Sequence, residues 1–162
     1  EAQRAQLQAQ KAELQAQYDA LSLAMQALEG AHSQLQSQFA PQISRDAANI
    51  MAQLTDGRYD TVQLDQALSI QARTCDAIAA HPVTVLSQGT ADQLYFSVRL
   101  AISHALLPAE TPLILDDALL SFDEARLASA LRLLQKESAG RQILLFTCQG
   151  REKACLCRQE NA

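Results

Sequence analysis

Two adjacent carboxylates, Asp116 and Asp117, close a short apolar run, Pro112-Leu-Ile-Leu-Asp116-Asp117. A run of this kind bounded by proline reads as a buried parallel strand, and α/β sheets hold ligands at the carboxyl ends of such strands. Neighbouring acids in an apolar setting repel each other unless a cation or a hydrogen-bonded water intervenes. One of them suits Mg2+, a hard cation that takes few protein carboxylates alongside substrate phosphates. The other suits orienting or deprotonating an attacking water. An acidic strand-end turn that caps the next helix accounts for the same pair.

A second chemical element lies upstream. Leu86-Ser87-Gln88-Gly89-Thr90 is a small polar turn that opens directly into a long helical pattern ending near Leu107. Glycine lets the backbone approach a ligand closely, and the free N–H groups of a first helical turn favour an anion. Ser87 adds a hydroxyl donor, and Thr90 serves either as helix cap or as ligand contact. Alone, this pattern also describes an ordinary N-cap.

The elements that must position these residues follow from spacing. Asp123 is placed as the N-cap of an amphipathic helix from about Glu124 to Glu137, with Gly140 ending it. Arg141-Gln-Ile-Leu-Leu-Phe-Thr147 then repeats the buried-strand pattern. Strand, helix and strand at this spacing predict a right-handed crossover with parallel strands. Cys148 and Gln149 thereby fall at the same end of the sheet as the acid pair.

Farther upstream, leucines at 7, 14, 21, 28 and 35 define a heptad seam. The matching positions Arg4, Lys11, Tyr18, Met25, His32 and Phe39 turn from polar to apolar along it. A coiled-coil arm over residues 1–40 is expected, with a long helix packed on a globular core as the other reading. Pro41 is expected to interrupt the helix, and Ile43, Ala47, Ile50, Met51 and Leu54 mark a second amphipathic segment closed by Asp56-Gly57. Residues 58–65 and 68–73 alternate as an antiparallel hairpin. Residues 74–84 read as a variable connection.

Composition limits the classes of function. Ala, Leu and Gln number 29, 25 and 21 of 162 residues, which favours helix, and 48% apolar residues exclude a disordered chain. A net charge of −5 with three lysines argues against a surface dedicated to coating nucleic acid. No apolar run is long enough for a membrane span and no signal-like start is present, so a soluble, cytoplasmic protein without a membrane partner is expected. Cys75, Cys148, Cys155 and Cys157 fit neither a disulfide framework nor paired zinc ligands; reduced thiols are expected, with Cys148 plus the C-terminal C-x-C as a metal or redox alternative.

The order of these motifs resembles the C-terminal half of an ABC-type ATPase head: signature turn (86–90), Walker B strand (113–117), D-loop (Ser121-Phe-Asp123) and switch strand (144–149). With a heptad arm leading into it, the chain is similar to the structural-maintenance-of-chromosomes (SMC) and SbcC-like branch, and to its YhaN-like group. Phe39-Ala-Pro41, Gly57-Arg-Tyr-Asp60 and Leu68-Ser-Ile70 extend that likeness to about residues 39–153. The resemblance implies an α/β P-loop NTPase lobe over residues 41–162, with parallel strands and flanking helices, a β-hairpin and an N-terminal coiled-coil helix.

It also implies roles. Ser87, Gly89 and Thr90 would face the γ-phosphate of an ATP held by an opposing head, with Gln88 standing where the family has a second glycine. Asp116 would hold Mg2+ through water, and Asp117 stands where most members have the glutamate that polarises water. Asp123 would cross the dimer interface, and Gln149 takes a switch position usually held by histidine, where it can hydrogen-bond a phosphate but not titrate near neutral pH. No Gly-Lys dipeptide occurs, so the phosphate-cradling loop is missing. An N-terminal Walker A half, a second head as homodimer, and DNA and a nuclease subunit are the partners implied, with DNA repair, DNA processing or chromosome maintenance as the setting. This chain is expected to be a C-terminal part with negligible ATPase activity alone. A non-catalytic ATP-gated scaffold and half of an ABC transporter nucleotide-binding domain are the alternatives; the heptad arm argues against the transporter.

Overall fold

The computed structural model describes residues 2–65 and 69–160. The chain divides after Phe39 into two compact units. Helix α1 spans Ala2–Leu54 and therefore enters both. In the first unit the helix presents its heptad leucines to solvent: Leu7, Leu14, Leu21, Leu28 and Leu35 are 55–72% exposed.

In the second unit, α1 does not break at Pro41. Proline removes one helical hydrogen bond and crowds the preceding turn, at about 3 kcal/mol. Five side chains beyond it, Ile43, Ala47, Ile50, Met51 and Leu54, are 0–9% exposed. Burying each large one contributes roughly 1.5–3 kcal/mol, so packing outweighs the proline. The helix ends as its sequence indicates. Asp56 and Gly57 take φ of 50° and 80°, and the Gly57 N–H reaches back to the Ala52 carbonyl at 2.8 Å. Glycine meets this left-handed geometry without a Cβ clash.

Strands β1 (Tyr59–Leu64) and β2 (Ile70–Thr74) form the expected antiparallel hairpin, with Val62 opposite Ala72 and both side chains buried. Leu68, assigned to the second strand from its pattern, lies outside the described residues. The connection expected over 74–84 is more ordered than its sequence suggests: β3 (His81–Pro82) pairs with β2, and a 3-10 turn covers Val83–Val85. Two residues carry too little alternation to announce a strand.

Helix α2 (Gln88–Leu106) follows, then β4 (Leu113–Asp116), α3 (Glu124–Glu137), β5 (Ile143–Phe146) and α4 (Gly150–Glu160). β4 and β5 are parallel, in register from Leu113↔Ile143 to Asp116↔Phe146. α3 keeps its expected limits, and the Asp123 carboxylate accepts the Arg126 N–H at 2.9 Å as its N-cap. Its other end departs from expectation. Ser138 is the C-cap in right-handed geometry, and Gly140 sits in the following turn without a positive φ.

One core joins these elements. Leu94 and Leu100 of α2, Leu119, Phe122, and Leu127 and Leu131 of α3 are 0–2% exposed. Phe96 and Phe122 meet edge to face at 6.1 Å, a geometry that aligns ring edge with ring face. Buried Gln93 donates from Nε2 to the Leu54 carbonyl at 2.9 Å, satisfying the end of α1. The result is a mixed α/β fold with a three-stranded antiparallel sheet and a two-stranded parallel one.

Candidate functional site

The parallel strands bring Asp116, Asp117, Cys148 and Gln149 to one end of the sheet. Alternation along β4 leaves Asp116 exposed, while Asp117 steps out of the strand with φ of 46°. Left-handed backbone is strained for most side chains, and aspartate is among the few that tolerate it. Two bonds hold the turn. The Asp117 N–H continues the ladder to the Phe146 carbonyl at 2.9 Å, and its Oδ1 accepts the Cys148 N–H at 3.0 Å. The Asp117 carboxylate also accepts from the Cys148 side chain, which pushes that exposed thiol above its ordinary pKa. Gln149 is half-buried, and its N–H is taken by the Thr147 hydroxyl at 3.1 Å.

A cavity of about 560 Å3 runs along this region between α2 and β4. Asp116 and Asp117 line it with Asp92, Tyr95 and Arg99 of α2, over an apolar floor that includes Ile114.

The turn at 86–90 is built separately. Ser87 is the N-cap of α2 in extended geometry, and its carbonyl accepts the N–H groups of Thr90 and Ala91 at 2.9 and 2.8 Å. The Ser87 hydroxyl lies 2.9 Å from that of Thr90. Ser87 and Gln88 are exposed, whereas Gly89 and Thr90 are buried. Gln88 turns along the helix surface to donate to Asp92 at 3.0 Å. A Cβ on Gly89 would fall 2.0 Å from Nη1 of Arg126, so glycine makes room for that guanidinium. Arg126 Nε pairs with Asp123 at 3.3 Å, and Nη2 reaches the Thr90 hydroxyl at 3.5 Å. The turn and the Asp123 cap are therefore joined by one side chain that the motif reading did not single out.

Arg151 was also missed. From the first turn of α4 it donates to the carbonyls of Leu119, Leu120 and Phe122 and pairs with buried Glu152 at 3.4 Å. Partners 29–32 residues away leave no trace in local spacing. Cys155 is buried while Cys148 and Cys157 are exposed, and among the described residues no group of three His, Cys, Asp or Glu side chains gathers as a metal site.

No family model matches this sequence. It is 36% identical over 113 residues to the uncharacterized protein YhaN of Bacillus subtilis (strain 168), spanning 67% of this chain and 11% of that protein's length. Among solved structures, it resembles one from a study of ATP-driven dimerization and DNA-stimulated activation of SMC ATPases, with a TM-score of 0.64, 18% identity, and coverage of 76% of this chain and 77% of that one. The Pyrococcus yayanosii Smc head with a coiled coil and joint gives a TM-score of 0.60 at 15% identity, over 93% of this chain and 30% of that one. The Thermotoga maritima SMC head domain gives 0.57 at 16% identity, over 78% and 44%. The fold is thus that of SMC ATPase head domains. No helix among the described residues is long and apolar enough to cross a membrane.

Proposed function

We propose that this chain is the signature and Walker B lobe of an SMC/SbcC-like ATPase head of the YhaN type, working with a Walker A half and a second head. The observation that carries this reading is the parallel β4–β5 pair, which presents Asp116, Asp117 and Gln149 at one end within an SMC-head fold. Parallel sheets are normally covered on both faces. Here Ile114, Leu144 and Phe146 are 65%, 39% and 56% exposed, which suits a sheet completed by another segment. ATP and Mg2+ fit the residues present: an exposed Asp116 offers a hard oxygen that would hold Mg2+ through a bound water, the direct ligands coming from phosphate and water. When bound, Mg2+ supplies charge neutralisation for phosphoryl transfer.

Ser87 and the first turn of α2 would donate to a γ-phosphate presented by the opposing head, and Asp123 would sit at the same interface. Asp117 would orient the attacking water. ATP-driven closing and reopening of heads would then move arms in DNA repair, DNA processing or chromosome maintenance, in a soluble cytoplasmic assembly. DNA and a nuclease subunit are candidate partners in that role.

One feature favours a second reading, an ATP-gated scaffold with little turnover: the Asp117 carboxylate is already engaged by Cys148. The test is reconstitution with a Walker A-bearing N-terminal segment. ATP binding and hydrolysis should appear, and Ser87→Arg should abolish ATP-dependent dimerisation. No nucleotide binding by the pair would end the half-head reading. Asp117→Asn, which keeps the tolerance for left-handed backbone, should trap the ATP-bound dimer; unchanged turnover would assign water activation to another residue.

A further inference from the structure

Arg151 has no part in the chemistry proposed above, yet it bridges two of its elements. It stands two residues beyond Gln149 and donates to three carbonyls, Leu119 at 2.9 Å, Leu120 at 2.7 Å and Phe122. All three lie in the segment that runs from Asp117 to Asp123. A guanidinium is a planar fork of five donors, so one side chain can fix several acceptors in a set geometry, which a lysine ammonium cannot reproduce. The fork also has a charged neighbour, in an ion pair without a hydrogen bond. Its Nε faces Glu152 Oε1 at 3.4 Å, and Glu152 is 2% exposed. At the near end of the same segment, Asp117 Oδ1 takes the Cys148 N–H at 3.0 Å. At the far end, Asp123 caps α3 and pairs with Arg126.

The residues after β5 therefore grip the 117–123 segment at two places, through the Cys148 N–H and through Arg151 in the first turn of α4. Leu119 and Phe122 are each 1% exposed, so the segment is pinned by its side chains from below and by Arg151 at its carbonyls. We propose that Arg151 is a positioning residue that ties the end of the switch strand to the Asp117–Asp123 segment, so that the placement of Asp123 follows that of Gln149. The meaning of those two residues rests on the half-head reading; the tie does not.

The experiment compares the chain with Arg151→Lys and with Arg151→Gln. Amide hydrogen exchange at residues 118–123 should quicken about tenfold or more in Arg151→Lys, with the buried amides of α2 unchanged. Should Arg151→Gln fail to fold, the lysine variant carries the comparison. Unaltered exchange at 118–123 overturns the proposal. In the reconstituted ATPase, Arg151→Lys should leave KM for ATP within about twofold and lower kcat about tenfold, because misplacement of a group outside the nucleotide pocket affects the reacting geometry. A loss of kcat that only follows a loss of folded protein would make Arg151 a structural residue and overturn the proposal, as would unchanged kcat despite faster exchange. A wild-type pair that neither binds nor hydrolyses ATP would end the half-head reading, while the exchange result would still decide the tie.

Discussion

Apolar residues at helical spacing meet opposite fates in the two parts of α1. Leucines at 7, 14, 21, 28 and 35 stand 55–72% exposed, whereas Ile43, Ile50, Met51 and Leu54 are at most 9% exposed. Periodicity thus identifies an apolar face without saying what covers it. In the second unit the covering is intramolecular. In the first the seam has the heptad form that a partner helix would fill. The exposed face of β4 and β5 belongs with the seam in this respect: Ile114 and Phe146 are apolar, on regular structure, and uncovered.

The comparison can be broken by substitution. Met51→Ala should cost about 3 kcal/mol and lower the melting temperature by roughly 6–12 °C, since it leaves a cavity in a fully buried site. A smaller shift, below ~1 kcal/mol, would mean that the site collapses or is not core. Phe146→Thr retains strand propensity, and thermal melts of the chain should change by less than about 0.5 kcal/mol. Its binding to a Walker A-bearing segment should weaken by about tenfold, equivalent to ~1.4 kcal/mol of lost burial. Equal affinity in a titration would show that this face stays open. Leu21→Gln should leave the melting curve of the chain within ~0.5 kcal/mol, because both residues are good helix formers and the site is exposed. A larger loss would reveal that the seam is covered.

The smallest effect concerns reactivity. The hydrogen bond to the Asp117 carboxylate raises the Cys148 thiol pKa, so less thiolate is present at a given pH than for an unperturbed cysteine. Asp117→Asn removes the charge and should speed alkylation of Cys148 near pH 8, with exposed Cys75 as the internal reference. An unchanged ratio of the two rates would show that the carboxylate does not govern the thiol.

Much of this arrangement is legible in the sequence. Local signals sufficed for the hairpin, for the positions of β4 and β5, and for α3 from Glu124 to Glu137, because caps and alternation are properties of near neighbours; the full burial expected of β4 and β5 is not found, since one face of each strand is exposed. Pro41 misled for the opposite reason: the burial that outweighs it is contributed by residues distant in sequence. β3 was too short to alternate. Of the chemical residues named by motif, Asp116, Asp117 and Gln149 stand at the end of the parallel strands, and Ser87 stands at the N-cap of α2. Arg126 and Arg151 were invisible, since a guanidinium announces nothing about which remote carbonyl or glycine it will meet.

The two-stranded sheet has a consequence for biosynthesis. Among the described residues, β4 and β5 pair only with each other, so each keeps an outer edge of unused N–H and C=O groups beside an uncovered apolar face. Such an edge templates the addition of whatever strand arrives first, including one from another copy of the same chain. Production of this chain alone should accordingly favour self-association, and a strand supplied in trans that pairs with that edge should suppress it. Timing of assembly then becomes as much a requirement for a sound product as any residue of the site.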